Sequence, residues 1–190
     1  MEEITEVRWH GRAGQGLITA VELLAEAALA ENRYFQAFPE FGAERTGAPM
    51  RAFSRFSSHP ITLHCPIIEP DGVVVLDPTL LGVVDVFDGL KPRGFAVINT
   101  HLAPETLKKR HDLHGVHVFT LNATKIAMDA LGRNIPNVPM IGALLRARRI
   151  VQKDRMADLL RRRLGSRVSK EAVEGNVAAL EKGYVEVQEG

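Results

Sequence analysis

The feature that most constrains the fold lies near the start of the chain, where a short strand pattern runs into a glycine-rich turn. Residues 4–9 alternate towards a β-strand, residues 11–16 (the glycine turn) read Gly-Arg-Ala-Gly-Gln-Gly, and apolar residues return at helical spacing from Leu17. A strand, a glycine turn and a helix in this order form the opening unit of a parallel α/β sheet. The sequence therefore predicts an α/β protein.

The rest of the chain adds strands first and helices later. We predict an ordered loop over 37–49, an antiparallel hairpin of 50–57 with 61–65, buried strands over 71–77, 94–99 and 116–121, and helices over 123–131, 139–150, 154–164 and 169–182. These elements indicate a single domain over residues 1–190. Its predicted fold is a Rossmann-like three-layer sheet, mostly parallel with one antiparallel hairpin, and with a helical C-terminal third.

Composition excludes several classes of protein. The chain has 190 residues, of which 45% are hydrophobic and 25% charged, and its formal net charge is +1. These values are typical of a globular protein and not of a disordered or collagen-like chain. A single cysteine, Cys65, permits no internal disulfide and cannot supply the several thiolates of an iron–sulfur cluster. The N-terminus is acidic and no long apolar run is present, so we expect a cytoplasmic protein that does not contact membranes.

Local charge is less even than the total. Lys and Arg greatly outnumber acidic residues over 133–170, which favours either a docking surface or an anionic ligand, or else a solvated helical face. No aromatic residue lies within this basic stretch, so we do not expect a nucleic-acid partner.

The glycine turn itself suggests an anion site. Gly11, Gly14 and Gly16 have the spacing G-x-x-G-x-G, and the following helix N-terminus offers free N–H groups suited to a phosphate or diphosphate. Arg12 adds a cation that can bind phosphate in bidentate fashion. The alternative is a close-packed strand–helix turn that binds nothing.

Other candidate residues are weaker. The pair of Glu40 and Glu44 could act as acid and base but has no visible substrate geometry, and the familiar hydrolase, kinase and zinc-protease motifs are absent. Three histidines are spaced three apart, but a strand beginning after Gly115 would turn their rings apart, so we also predict no metal site at His111, His114 and His117.

Several segments resemble those of one known family. Residues 6–16 closely resemble the opening of the gamma subunit of 2-oxoacid:ferredoxin oxidoreductases, and residues 37–49 and 134–143 resemble its second and third hallmark segments. Residues 122–127 fit a fourth, although the family more often has an acidic residue where Asn122 stands. The resemblance extends over nearly the whole chain and is greatest to the pyruvate branch.

The resemblance implies an oxidative decarboxylation, in which a 2-oxoacid, CoA and oxidised ferredoxin give an acyl-CoA, carbon dioxide and reduced ferredoxin. It also implies alpha, beta and delta partner subunits, with thiamine diphosphate held by alpha and beta and [4Fe-4S] clusters held by beta and delta. On this resemblance the chain would supply no catalytic residue and hold no cofactor alone, but it would help to bind CoA and to hold the complex together.

On this resemblance we expect the CoA phosphates near Gly11, Arg12, Gly14, Gln15, Gly16, Asn122, Thr124 and Asn137. We expect the interface with the catalytic subunits near Glu40, Glu44, Arg45, Thr46 and Gly47.

Two rival interpretations remain open at this point. One is a purely structural subunit whose glycine turn packs against partners and touches no ligand. The other is a stand-alone nucleotide-binding regulator or dehydrogenase, which needs an acidic residue about 20 positions after the glycines to bind a ribose. Glu31 has that spacing but falls inside the predicted helix, which counts against a dehydrogenase.

Overall fold

The computed structural model describes residues 4–40 and 47–190. The described residues form a mixed sheet of seven strands in the order β2-β3-β1-β4-β5-β6-β7. The strands are β1 (Thr5–Arg12), β2 (Tyr34–Glu40), β3 (Pro49–Ser57), β4 (Gly72–Val75), β5 (Phe95–Asn99), β6 (His117–Leu121) and β7 (Gln188–Glu189).

The centre of the sheet is parallel and its two margins are antiparallel. Strands β1, β4, β5 and β6 run in one direction, whereas β3 pairs antiparallel with both β1 and β2, and β7 pairs antiparallel with β6. The central strands β4 and β5 are buried along their whole length, as expected for strands covered on both faces. The predicted Rossmann-like α/β fold is confirmed.

Helices cover both faces of the sheet. They are α1 (Leu17–Ala30), α2 (Pro104–His111), α3 (Ala123–Leu131), α4 (Asn137–Ala147), α5 (Lys153–Leu164) and α6 (Lys170–Glu186), with a short 3₁₀ helix at Pro78–Gly82. Residues of α1 and α3 to α6 share one apolar cluster with β1, whereas α2 and the 3₁₀ helix share a second cluster on the opposite face. This arrangement gives the three layers that the sequence predicted.

Trp9 anchors the larger cluster. Its side chain is fully buried, and its indole N–H donates to the hydroxyl of Ser54 on the neighbouring strand at 3.0 Å. The buried ring therefore ties β1 to β3 on the face that α1 covers, and it fixes the strand that leads into the glycine turn.

Most helix boundaries follow local sequence signals. Asn122 caps α3 and Ser169 caps α6, each through a side-chain oxygen that accepts a first-turn N–H, and Gly132 ends α3 in the left-handed region with φ 64°. The short helix α2 and the two-residue strand β7 were not predicted.

The prediction of a loop over 37–49 is wrong for its first part. Residues 34–40 form the edge strand β2, and Phe38 stacks on Phe53 of β3 with the ring centroids 5.3 Å apart. Apolar residues occur on both faces of this strand, so it lacks the alternation that marks a half-buried strand in a sequence. Residues 41–46 of the predicted loop lie outside the described residues.

The predicted hairpin partner of β3 is also wrong. Residues 61–65 form no strand, because β2 and β1 already occupy the two edges of β3. The carbonyls of Ile61 and Leu63 instead accept hydrogen bonds from the side chain of Gln36. The antiparallel hairpin is thus formed by β2 and β3, one segment earlier than predicted.

Glycines allow α4 and α6 to approach each other closely. A Cβ at Gly183 would overlap the backbone of Pro139, and a Cβ at Gly142 would overlap the carbonyl oxygen of Leu180. Both overlaps involve backbone atoms, which cannot move aside as a flexible side chain can.

We therefore expect Gly183→Ala to lower the free energy of unfolding by about 1–3 kcal/mol, the usual cost of overpacking a core. Gly82→Ala is the matched control, because a Cβ at Gly82 would meet nothing within 4 Å. Urea unfolding of the three proteins measures the difference, and equal loss of stability in both variants would contradict this account of the helix contact.

Candidate functional site

The glycine turn has a backbone that only glycine adopts easily. Gly14 and Gly16 have φ values of 92° and 76°. A Cβ at Gly11 would lie 2.9 Å from the Leu17 side chain, and one at Gly16 would lie 2.5 Å from the side-chain amide of Asn137. The turn itself therefore requires glycine at positions 14 and 16, whether or not it binds a ligand, whereas a Cβ at Gly11 would need only the Leu17 side chain to shift.

A carboxylate that follows the neighbouring strand stabilises the glycine turn. Asp77 follows β4, and its Oδ2 accepts a hydrogen bond from Gln15 at 2.8 Å and lies 3.3 Å from the guanidinium of Arg12. Its Oδ1 accepts both the N–H and the hydroxyl of Thr79. In turn, Oε1 of Gln15 accepts the backbone N–H of Arg12 at 2.8 Å. This set of side chains is called the Asp77 network below.

The carboxylate of Asp77 stays ionised near neutral pH. Burial raises the pKa of Asp77, but hydrogen bonds from Thr79 and Gln15 and the charge of Arg12 outweigh burial, and the net pKa is lowered. The guanidinium of Arg12 also donates to Thr79 and to the carbonyl of Gly47 at 2.7 Å. Protein acceptors therefore engage Arg12, and phosphate binding by its side chain stays a prediction.

The other predicted binding residues are only partly brought together. Asn137 is buried and donates to the carbonyl of Gly16 at 3.3 Å, so it belongs to the turn. Thr124 accepts a hydrogen bond from Asn99 at 2.9 Å, in a neighbouring network at the carboxyl end of β5. Asn122 is exposed, and its side chain caps α3.

A cavity of about 580 Å³ opens beside the turn. Gly14 and Gly16 form part of its wall, together with leucine side chains from several helices. The polar side chains that line it are Thr19, Arg133, Asn137, Arg163, Ser169 and Asn176. The N-cap residue of helix α1 is Gly16, which has no side chain to cap the helix, so the free N–H groups of the first turn and the positive end of the helix dipole lie beside this cavity.

Sequence reasoning missed Asp77 and Arg133. Asp77 was noted only as the end of a buried strand, although the carboxyl ends of parallel strands are where ligand sites gather. Arg133 directly follows the glycine that ends α3, and it begins the basic stretch over 133–170. Either position could have been found by asking which side chains follow the predicted strands and helices at that edge.

Two of the predicted interface residues, Glu40 at the end of β2 and Gly47 just before β3, lie in the described part of the chain. Glu40 forms an exposed ion pair with Arg51 across these two strands, beside a second cavity of about 370 Å³. Gly47 is held by Arg12, as described above. The remaining predicted interface residues lie outside the described part of the chain: Glu44, Arg45 and Thr46.

His10 is a buried neutral imidazole. It is 2% exposed, and its Nε2 accepts a hydrogen bond from Nε of Arg8 at 3.1 Å. Burial, together with the charges of Arg8 and Arg51, lowers the pKa of His10 to about 3. Arg8 is equally buried and donates to the carbonyls of Val86 and Asp88.

The three evenly spaced histidines do not converge. His111 packs against Phe87 with ring centroids 5.4 Å apart, His114 contacts Asp112 at the surface, and His117 is exposed on β6. Over residues 4–40 and 47–190, no group of three or more His, Cys, Asp or Glu side chains is placed to hold a metal ion.

These features define a class of protein. A doubly covered sheet, a glycine turn between its first strand and first helix, and a helix N-terminus beside a cavity make up a Rossmann-like domain. Within the described segments, no helix is both long and apolar enough to span a bilayer.

Comparison with known proteins identifies the family. The family model of pyruvate ferredoxin/flavodoxin oxidoreductase matches residues 6–186. The chain is 43% identical over 183 residues to the pyruvate synthase subunit PorC of Thermotoga maritima, covering 96% of this chain and 94% of the relative. It is 41% identical to the common gamma subunit of the pyruvate/ketoisovalerate oxidoreductases of Thermococcus litoralis, covering 95% and 97%.

Solved structures agree with this assignment. The crystal structure of the Thermotoga maritima subunit matches with a TM-score of 0.86 and 40% identity, over 99% of both chains. The 2-oxoglutarate:ferredoxin oxidoreductase of Magnetococcus marinus has the same fold, with a TM-score of 0.79 and 20% identity over 96% of this chain and 31% of that one. The chain belongs to the pyruvate ferredoxin/flavodoxin oxidoreductase family and is of its gamma-subunit type.

The neutral His10 predicts a pH dependence of stability. In the unfolded chain its pKa returns to about 6.5, so between about pH 3 and pH 6.5 the unfolded chain binds more protons than the folded one. The unfolding free energy therefore falls as the pH is lowered through this window, by up to about 1.4 kcal/mol per pH unit from this group. His10→Gln keeps an acceptor for Arg8 but does not titrate.

Urea unfolding between pH 7 and pH 4 is the measurement. We expect a shallower loss of stability in His10→Gln than in the natural protein. Parallel pH profiles of the two proteins would contradict the account of His10.

Proposed function

We propose that this chain, as the gamma subunit of a pyruvate or other 2-oxoacid:ferredoxin oxidoreductase, binds the phosphates of coenzyme A at the glycine turn. The reaction of the complex converts a 2-oxoacid, CoA and oxidised ferredoxin to an acyl-CoA, carbon dioxide and reduced ferredoxin. The chain makes or breaks no bond itself. Its contribution is to bind CoA and to orient its thiol towards the catalytic subunits.

One observation carries this proposal: Gly16, the N-cap residue of α1, and Arg133 both line the cavity of about 580 Å³, and no side chain caps the helix. A helix N-terminus with free N–H groups favours phosphate, and an arginine can add charge-assisted hydrogen bonds to it. Apolar helix side chains line the rest of the cavity, which suits the uncharged part of a long ligand. CoA has both parts, a phosphate-rich nucleotide and an uncharged pantetheine arm.

The Magnetococcus marinus enzyme supports the choice of ligand. That structure has 2-oxoglutarate, coenzyme A and succinyl-CoA bound, and one segment of it has the fold of this chain. At 20% identity this likeness concerns the fold, so the residues that bind CoA in our proposal are argued from the cavity alone.

The partners follow from what this chain lacks. With one cysteine it cannot ligate a [4Fe-4S] cluster, which needs several thiolates. We propose that alpha, beta and delta subunits supply the clusters and thiamine diphosphate in the cytoplasm, and that they contact this chain near Glu40 and Gly47. Ferredoxin then accepts electrons from those subunits and not from this chain.

A purely structural subunit is the second candidate. The observation in its favour is that Arg12, the cation within the glycine turn, is already paired with Asp77. A stand-alone dehydrogenase has less support, because Glu31 ends α1 and accepts the backbone N–H of Gln152 at 2.8 Å. That carboxylate is therefore occupied by the protein instead of being presented to a ribose.

Arg133→Gln tests CoA binding in the assembled complex. Loss of a charge-assisted contact with phosphate should raise the KM for CoA about tenfold, with little change in kcat at saturating CoA or in the KM for the 2-oxoacid. Steady-state kinetics with varied CoA measure this.

Arg155→Gln is the control, because Arg155 is exposed on α5 and carries the same charge. It should leave the KM for CoA unchanged. An unchanged KM in both variants would favour the purely structural subunit.

Purification of the tagged chain from its own cells tests the partners. We expect three further subunits to copurify, together with bound iron and thiamine diphosphate, as measured by mass spectrometry and metal analysis. Recovery of the chain as a free monomer would refute the role in a complex.

A further inference from the structure

Asp77 stands at the point where the glycine turn meets the next parallel strand, and none of the proposed ligand contacts uses it. Its carboxylate is buried, being 8% exposed for the whole residue, and side chains and backbone of the turn and of Thr79 surround it. One oxygen receives the N–H and hydroxyl of Thr79, at 2.9 Å and 2.7 Å. The other receives Gln15 and Arg12 from the turn.

The carboxylate of Asp77 determines the orientation of the Gln15 side-chain amide. An ionised carboxylate accepts hydrogen bonds but donates none, so Gln15 must present its Nε2 to Asp77. The amide oxygen is then left to accept the backbone N–H of Arg12. An uncharged amide at position 77 would present an N–H donor to Nε2 of Gln15, which is itself a donor. Gln15 would then lose this hydrogen bond, and its Oε1 would no longer be held in place to accept the Arg12 N–H.

The side chains that contact Asp77 lie away from the cavity. Oε1 of Gln15 would lie 3.4 Å from a Cβ at Gly11, so the glutamine side chain lies beneath the turn. Neither Gln15 nor Arg12 lines the cavity of about 580 Å³, whereas Gly14 and Gly16 do. Arg12 also balances the charge of Asp77, which reduces the repulsion that a nearby carboxylate would exert on a phosphate.

We propose that Asp77 is a positioning residue for CoA, which acts through Gln15 and Arg12 to hold the glycine turn in its binding conformation. This inference rests on the proposed function. It assigns Asp77 no contact with CoA, so the effect of its substitution must follow the polarity of its hydrogen bonds.

Asp77→Asn tests this in the assembled complex. The change keeps the shape of the side chain and the acceptor for Thr79, but it reverses the hydrogen-bond polarity towards Gln15. We expect the KM for CoA to rise on the order of tenfold while kcat at saturating CoA changes little. Hydrogen exchange of the peptide that covers the glycine turn should become faster.

The double variant Asp77→Asn with Gln15→Glu supplies the rescue. Asn at position 77 then donates to Glu at position 15, whose second oxygen accepts the Arg12 N–H, and the pair keeps one negative charge near Arg12. The KM for CoA and the exchange rate should both return towards the natural values. Asp158→Asn is the control, since it removes an exposed carboxylate that lies 3.5 Å from Arg161 on α5.

The outcomes separate the two proposals. If Arg133→Gln raises the KM for CoA but Asp77→Asn does not, the positioning role is refuted and the CoA site stands. If neither raises it, both are refuted. If Asp77→Asn raises it and the double variant restores neither measurement, hydrogen-bond polarity is not the cause and the positioning role is again refuted. Should Asp77→Asn fail to assemble, Gln15→Leu takes its place, and an unchanged KM there refutes the role.

Discussion

The carboxylate of Asp77 is the interaction on which the candidate site depends. It lies where β1 and β4 end side by side, and it joins the 3₁₀ helix that begins at Pro78 to the glycine turn through Thr79, Gln15 and Arg12. A buried carboxylate is costly unless it is hydrogen-bonded and its charge is paired, and here it accepts three hydrogen bonds and pairs with Arg12. The shape of the turn and the ionisation of Asp77 therefore support each other.

The proposed binding role fits a chain that would contribute position and not chemistry. Its single cysteine cannot hold a cluster, and its buried histidine is kept neutral and bonded to Arg8. What the chain offers a ligand is a helix N-terminus, a cavity and cations beside it. These are the means by which a protein binds an anionic carrier and limits its motion while a neighbouring subunit performs the reaction.

Local signals in the sequence predicted the parts of the fold that local physics determines. The glycine turn was predictable because positive φ and close approach demand glycine whatever the rest of the fold. The helix predicted over 123–131 has those bounds and ends at Gly132, and the last helix begins directly after Ser169, as expected. β2 was missed because apolar residues on both of its faces hide the strand period. The Asp77 network and the cavity were missed because they join residues more than 60 positions apart, such as Gln15 and Asp77, and only the sheet order brings these together.

The position of Trp9 has a practical consequence. It is the only tryptophan of the chain, its ring is fully sealed from solvent, and it lies two residues before the first glycine of the turn. Tryptophan fluorescence from this protein therefore comes from a single indole at a known place. Any event that separates β1 from β3 will change the emission of Trp9. Its fluorescence can therefore report on structural changes beside the glycine turn without an introduced dye.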